Sequence, residues 1–131
     1  MLNRFIFILI LPFFFSCYHE NQPEATVPEH LLNKDELVLI LVDIQLAEGA
    51  LSYRRTKRIE QQDFRKSVYQ KIFSVHGITA KILNENINYY NNEPENMELI
   101  YEAVLAKLSR MEGELNEEAK QESIKADTVR K

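Results

Sequence analysis

An all-α body is what this sequence predicts: a small four-helix bundle-like domain with short interhelix turns. Three observations lead there. Apolar residues recur at helical spacing from Leu37 to Leu115. Gly and Pro number only 3 and 4, too few turn residues for a Rossmann unit or a β-sandwich. The breaks between periodic stretches are short and carry helix-stop and helix-start residues.

The chain opens differently. Arg4 is the only charged side chain before Cys17, and every residue from Phe5 to Phe15 is apolar. As a helix that run would span about 16 Å, against about 30 Å of bilayer hydrocarbon. Pro12 would also interrupt it. A basic start, a short apolar run and a small residue, Ser16, read as a secretory signal. Cys17 follows and is the only Cys, which resembles a bacterial lipoprotein signal cut between Ser16 and Cys17. Phe14 and Phe15 stand where that pattern usually has Leu and a small residue. The alternative is a plain secretory signal followed by an incidental Cys. Under the lipoprotein reading Cys17 carries the lipid and holds the protein to a membrane of the cell envelope, on the periplasmic side or the cell surface. Two or three acyl chains would make that anchor almost permanent. Tyr18 to Pro28 is polar, with two prolines, and reads as an extended tether.

The first helix is expected at 34–53. Asn33 is an N-cap residue, and Asp35 and Glu36 place acids in the first turn. Leu37, Ile40, Leu41, Ile44, Ala47 and Leu51 form its stripe, with Val38, Leu39, Val42 and Leu46 on the flanks. A helix this apolar has neighbours on two sides. Leu37–Val42 alone would suit a buried strand; the caps and the continued period decide for helix. Arg54-Arg55-Thr56-Lys57-Arg58 then concentrates positive charge in one short run. It reads first as a solvated loop in an acidic chain, and second as a docking patch for an acidic partner or anionic lipid.

The second helix is expected at 59–75, with Phe64, Val68, Ile72 and Val75 as its stripe and Tyr69 and Phe73 beside it. His76-Gly77 ends it, because Gly takes the left-handed conformation at a helix end. Thr79 caps the third helix, 80–91, and Ile78 with Leu83 has the spacing of a hydrophobic staple. That helix buries Ile82, Leu83, Ile87 and Tyr90. Pro94 suits the first turn of the fourth helix, 94–115. Its seam is Met97, Tyr101, Val104, Leu108, Met111 and Leu115. Residues 116–131 are mostly polar and charged and read as a frayed, disordered tail. The expected divisions are a signal at 1–16, lipidated Cys and flexible tether at 17–32, helical domain at 33–115 and tail at 116–131.

The order of these features is similar to a lipoprotein family of Bacteroidetes called domain of unknown function 4296. The likeness rests on Leu41-Val42-Asp43-Ile44-Gln45-Leu46-Ala47-Glu48, on Tyr69 to Phe73 leading into His76-Gly77-Ile78-Thr79, on Tyr89-Tyr90 before Pro94, and on Ile100-Tyr101-Glu102-Ala103-Val104. It covers Asp35 to about Leu115. The resemblance implies a short, lipid-anchored helical protein without an assigned activity, and supplies no catalytic residues.

Chemistry is sparse. A net charge of −4 argues against a general nucleic-acid binder. One Cys forms neither an internal disulfide nor a cysteine-based zinc site. The 3 His are far apart, with no His-x-x-x-His and no glycine-rich phosphate loop. No catalytic residue, metal ligand or cofactor is therefore expected, and His76 reads as a helix-stop residue. Two acids stand out. Glu48 falls inside the apolar stripe of the first helix and Asp43 on its edge. A carboxylate on a buried face needs a partner. For Glu48 the candidate donors are Tyr69, Tyr90 and Tyr101, or Arg65. The alternative is a polar hole that recognises a ligand or a partner's cation. Two functions follow. One is a tethered module that presents a face to another envelope protein. The other is a small-ligand carrier or sensor with a pocket lined by Tyr69, Tyr90, Tyr101 and Glu48.

Overall fold

The computed structural model describes residues 26–129. The expected signal, the Ser16–Cys17 junction and the expected tether up to Ala25 lie outside the described residues. Among the described residues four helices follow one another: α1 (Lys34–Thr56), α2 (Gln62–His76), α3 (Ala80–Asn91) and α4 (Pro94–Val129). No strand occurs among the described residues. None of the described helices is long and apolar enough to cross a membrane.

Capping fixes the start of α1. The Glu36 N–H donates to Asn33 Oδ1 at 2.9 Å, and the Asn33 N–H donates to Glu36 Oε2 at 2.8 Å. Two end-of-helix donors are thus satisfied reciprocally. The helix ends in a Schellman closure, with the Ile59 N–H on Arg54 O at 2.9 Å and the Arg58 N–H on Arg55 O at 3.1 Å. Arg58 occupies the left-handed position of that closure, φ 56°. Gly77 does the same after α2 at φ 64°, with the Ile78 N–H on Phe73 O at 3.0 Å. Thr79 caps α3, its hydroxyl accepting from the Ile82 N–H at 3.2 Å, and the staple residues Ile78 and Leu83 are both buried.

α1 is central, in contact with α2 on one side and α4 on another; α3 packs on α4. The core joins Leu37, Ile40 and Leu41 of α1 to Leu83 and Tyr90 of α3 and to Met97, Ile100 and Val104 of α4. α2 runs antiparallel to α1. α4 starts beside the start of α1, where Lys34 Nζ donates to Asn96 Oδ1, and runs alongside it.

Four expectations need correction. First, α2 begins at Gln62, three residues or so later than its hydrophobic pattern suggests. Ile59 closes the end of α1 instead, and Glu60 Oε1 takes the N–H groups of Gln62 and Asp63 as a surrogate cap. Second, the flexible segment does not extend to residue 32: Pro28 and Leu32 are buried, and the chain from His30 to Leu32 is hydrogen-bonded to α3. Third, helix four does not end at 115 but continues to Val129. The stretch beyond Leu115 lacks Pro and is rich in Glu, Lys, Gln and Ala, all good helix formers. It continues as helix, and residues 112–126 are all exposed. Fourth, the seam of that helix runs through Ile100 in place of Tyr101, while Met97, Val104, Leu108 and Met111 pack as expected. Ile100 is buried at 1% exposure, whereas Tyr101 is 49% exposed and Leu115 lies open.

Candidate functional site

The two carboxylates singled out in α1 both face α2. Antiparallel packing brings the C-terminal end of α2 beside Asp43 and its middle beside Glu48. The Tyr69 hydroxyl donates to Glu48 Oε1 at 2.6 Å, and Arg65 Nη1 donates to the same oxygen at 3.1 Å. His76 Nε2 lies 2.7 Å from Asp43 Oδ2. The carboxylate only accepts, so the imidazole donates from Nε2. Further along, Arg54 Nε donates to Glu60 O at 2.8 Å, and its guanidinium sits 4.5 Å above the centre of the Phe64 ring. Beneath this polar edge Ala47, Leu51 and Ile72 are buried.

Glu48 is therefore neither sealed in the core nor free. Its side chain is 41% exposed and shared by two donors. In that setting the ion pair with Arg65 contributes little, and the Tyr69 bond mainly orients the ring against Phe73, 5.9 Å away centre to centre. We expect Glu48→Gln and Glu48→Leu to change stability by less than about 0.5 kcal/mol, and Glu48→Ala by less than about 1 kcal/mol. Chemical denaturation would show it. A larger loss would mean that water reaches the carboxylate less than its exposure indicates.

The other two tyrosines stand elsewhere. Tyr90 is buried at the opposite end of the body, and its hydroxyl donates to Leu32 O at 2.8 Å. Tyr101 is on the open flank of α4. Tyr69, Tyr90 and Tyr101 do not converge with Glu48 on one pocket. Nor do three His, Cys, Asp or Glu side chains gather to hold a metal ion among the described residues. The α1–α2 edge carries acceptors and donors that satisfy one another, with no hydroxyl or thiol placed on the imidazole for nucleophilic chemistry.

A second polar cluster escaped the sequence reading. Asn86 of α3 is fully buried. Its Oδ1 accepts from the Leu32 N–H at 2.8 Å, and its Nδ2 donates to His30 O at 2.8 Å and Ile82 O at 2.9 Å. With Tyr90 it clamps the segment leading into α1. The available signal was spacing: Leu83, Asn86, Ile87 and Tyr90 share one face of α3.

Burial raises the Tyr69 hydroxyl above its ordinary pKa, and the hydrogen bond and charge of Glu48 add to this. Burial raises Tyr90 too, helped by Tyr89, Glu93 and Glu36. The fold thus favours the neutral phenols. Their contribution is complete below the unfolded value of about 10 and is lost as pH rises through the higher folded values. Denaturation midpoints should fall above about pH 10, and the fall should be shallower in Tyr69→Phe and Tyr90→Phe than in the parent. Equal slopes would assign the alkaline loss to other groups.

No curated protein and no solved structure matches the chain. Residues 28–114 match the family model described as Domain of unknown function (DUF4296). That range starts at the buried Pro28 and ends past the packed part of α4, so it takes in the clamp and the α1–α2 edge. By this match the chain belongs to the DUF4296 family, here an all-helical domain.

Proposed function

We propose that this protein is a lipid-anchored helical module of the cell envelope that presents one face of its body to another envelope protein. The reading rests on one observation above all: the only Cys, Cys17, follows Ser16 at the end of a short apolar run. A diacyl or triacyl Cys17 would hold the chain to the membrane. The interaction part draws on α1. Leu39, Leu46 and Tyr53 step by seven along its outward side and are 44%, 45% and 62% exposed. A row of apolar side chains on one helix face suits a partner surface. The tether would enter the body beside the Asn86 clamp. The α1–α2 turn is at the other end of α1, about 34 Å away for 23 residues, and would point away from the membrane.

Metabolic labelling with a fatty acid tests the anchor. The parent should take up label and partition with membranes; Cys17→Ala should remain unlabelled. A parent chain that stays unlabelled and soluble would overturn the proposal.

A further inference from the structure

We infer that the far end of the body is a self-association surface, in which the basic turn after α1 of one copy takes the acidic end of α4 of a second copy. This goes beyond the anchored-module reading and does not depend on Cys17.

The turn is poised for contact. Tyr53 and Ile59 are exposed, with Arg54, Arg55, Lys57 and Arg58 between them. Arg54 is engaged by Glu60 and Phe64. Lys57 lies over the Tyr53 ring, 5.8 Å from its centre. Arg55, Lys57 and Arg58 join none of the ion pairs among the described residues. Arg58 is also held in the left-handed region at φ 56°, which is unfavourable for a side chain of its kind.

The end of α4 is the complement. Glu112, Glu114, Glu117, Glu118 and Glu122 outweigh Lys120 and Lys125, and none of these glutamates is in an ion pair among the described residues. Leu115 is exposed in their midst. A helical end with every side chain from 112 to 126 exposed is marginal in water by itself. Because α4 has 36 residues and α1 has 23, and both start together, the acidic stretch begins at the height of the basic turn. Two copies lying side by side in the same direction would set the acidic stretch of each beside the turn of the other. A two-fold arrangement would make both contacts at once. Pairing the two α4 ends with each other instead would oppose like charges.

Disulfide trapping between full-length chains in whole cells, read in the membrane and soluble fractions together, tests this. One copy carries Lys57→Cys and one tag; the other carries Glu117→Cys and a second tag. Mild oxidation should give a mixed-tag dimer above the background of chains lacking the added Cys. High salt should reduce it, since the contact is a solvent-facing charge pairing. Adding Arg55→Glu and Arg58→Glu should lower the product about tenfold, and Glu114→Lys with Glu118→Lys in the second copy should restore it. Arg55→Gln with Arg58→Asn should also weaken trapping; Asn tolerates the left-handed position, so misfolding would not explain that loss. No mixed dimer, or a dimer indifferent to charge reversal, overturns the proposal. So does a monomeric chain whose Arg55→Glu, Arg58→Glu form loses binding to phosphatidylcholine–phosphatidylglycerol vesicles, which would make the turn a lipid contact.

Discussion

Asn86→Leu is expected to destabilise the fold by about 3 kcal/mol and to release the segment before α1. The size follows from what the amide holds. The side chain is fully buried, and it satisfies the Leu32 N–H and the His30 carbonyl across a sequence separation of more than fifty residues. Leucine has the same branched shape and the same number of side-chain heavy atoms but no polar ones. Each main-chain group left buried without a partner costs about 1–3 kcal/mol. Ile82 O loses less, being a carbonyl within α3. The chain can avoid the penalty only by lifting away, which exposes Pro28 and Leu32. Denaturant titration should show the loss, and limited proteolysis should cut within 26–33 much earlier than in the parent. Tyr90→Phe should cost about 1 kcal/mol, and the two changes should not add, since both act on Leu32. An Asn86→Leu protein within about 0.5 kcal/mol of the parent would show that water can replace the amide.

The helix ends were legible because single residues carry them. Asn33 with Glu36, Gly77, Thr79 and Pro94 each have a local reason for their place, and a cap needs no knowledge of the rest of the chain. Residues whose role is set by distant parts of the chain were not. Asn86 sits among Asn84, Asn88, Asn91 and Asn92, and only the docked segment from 28 to 33 distinguishes it. Leu32 looked like part of a linker because its partners, Asn86 and Tyr90, are in α3. Ile59 fits the apolar pattern of α2, yet it closes α1, since a Schellman closure needed a residue after Arg58. The tail misled for the opposite reason. Polar composition argues against a packed core, but it does not forbid a helix, and residues 116–129 are helical with 116–126 all exposed. For Glu48 the helical wheel pointed to the α2-facing side. It had no means of telling how much water that edge admits, because exposure there depends on where α2 lies.

The seam of α4 supplies the sharpest test of the packing. Its apolar residues permit two phases, one through Tyr101 and one through Ile100, and both then continue to Val104 and Leu108. The structure takes the second. Ile100 is 1% exposed and packs in the core with α1 and α3 residues, while Tyr101 opens to solvent. The choice has a physical basis: a tyrosine in the centre of the seam would need a partner for its hydroxyl, whereas isoleucine fills the space with none. Ile100→Ala is therefore expected to destabilise by about 2–5 kcal/mol, the range for a large-to-small change at a buried aliphatic site. Tyr101→Ala should cost less than about 1 kcal/mol. The upper part of the Ile100 range applies if the surrounding side chains of α1 and α3 cannot close on the space left behind. Both variants can be measured by denaturant titration against the same parent, with the slope checked for an unchanged unfolded state. If Tyr101→Ala proved the costlier of the two, α4 would be rotated about its axis from the orientation described. The α1–α4 contact, and with it the side on which α4 offers its acidic end, would then have to be rebuilt.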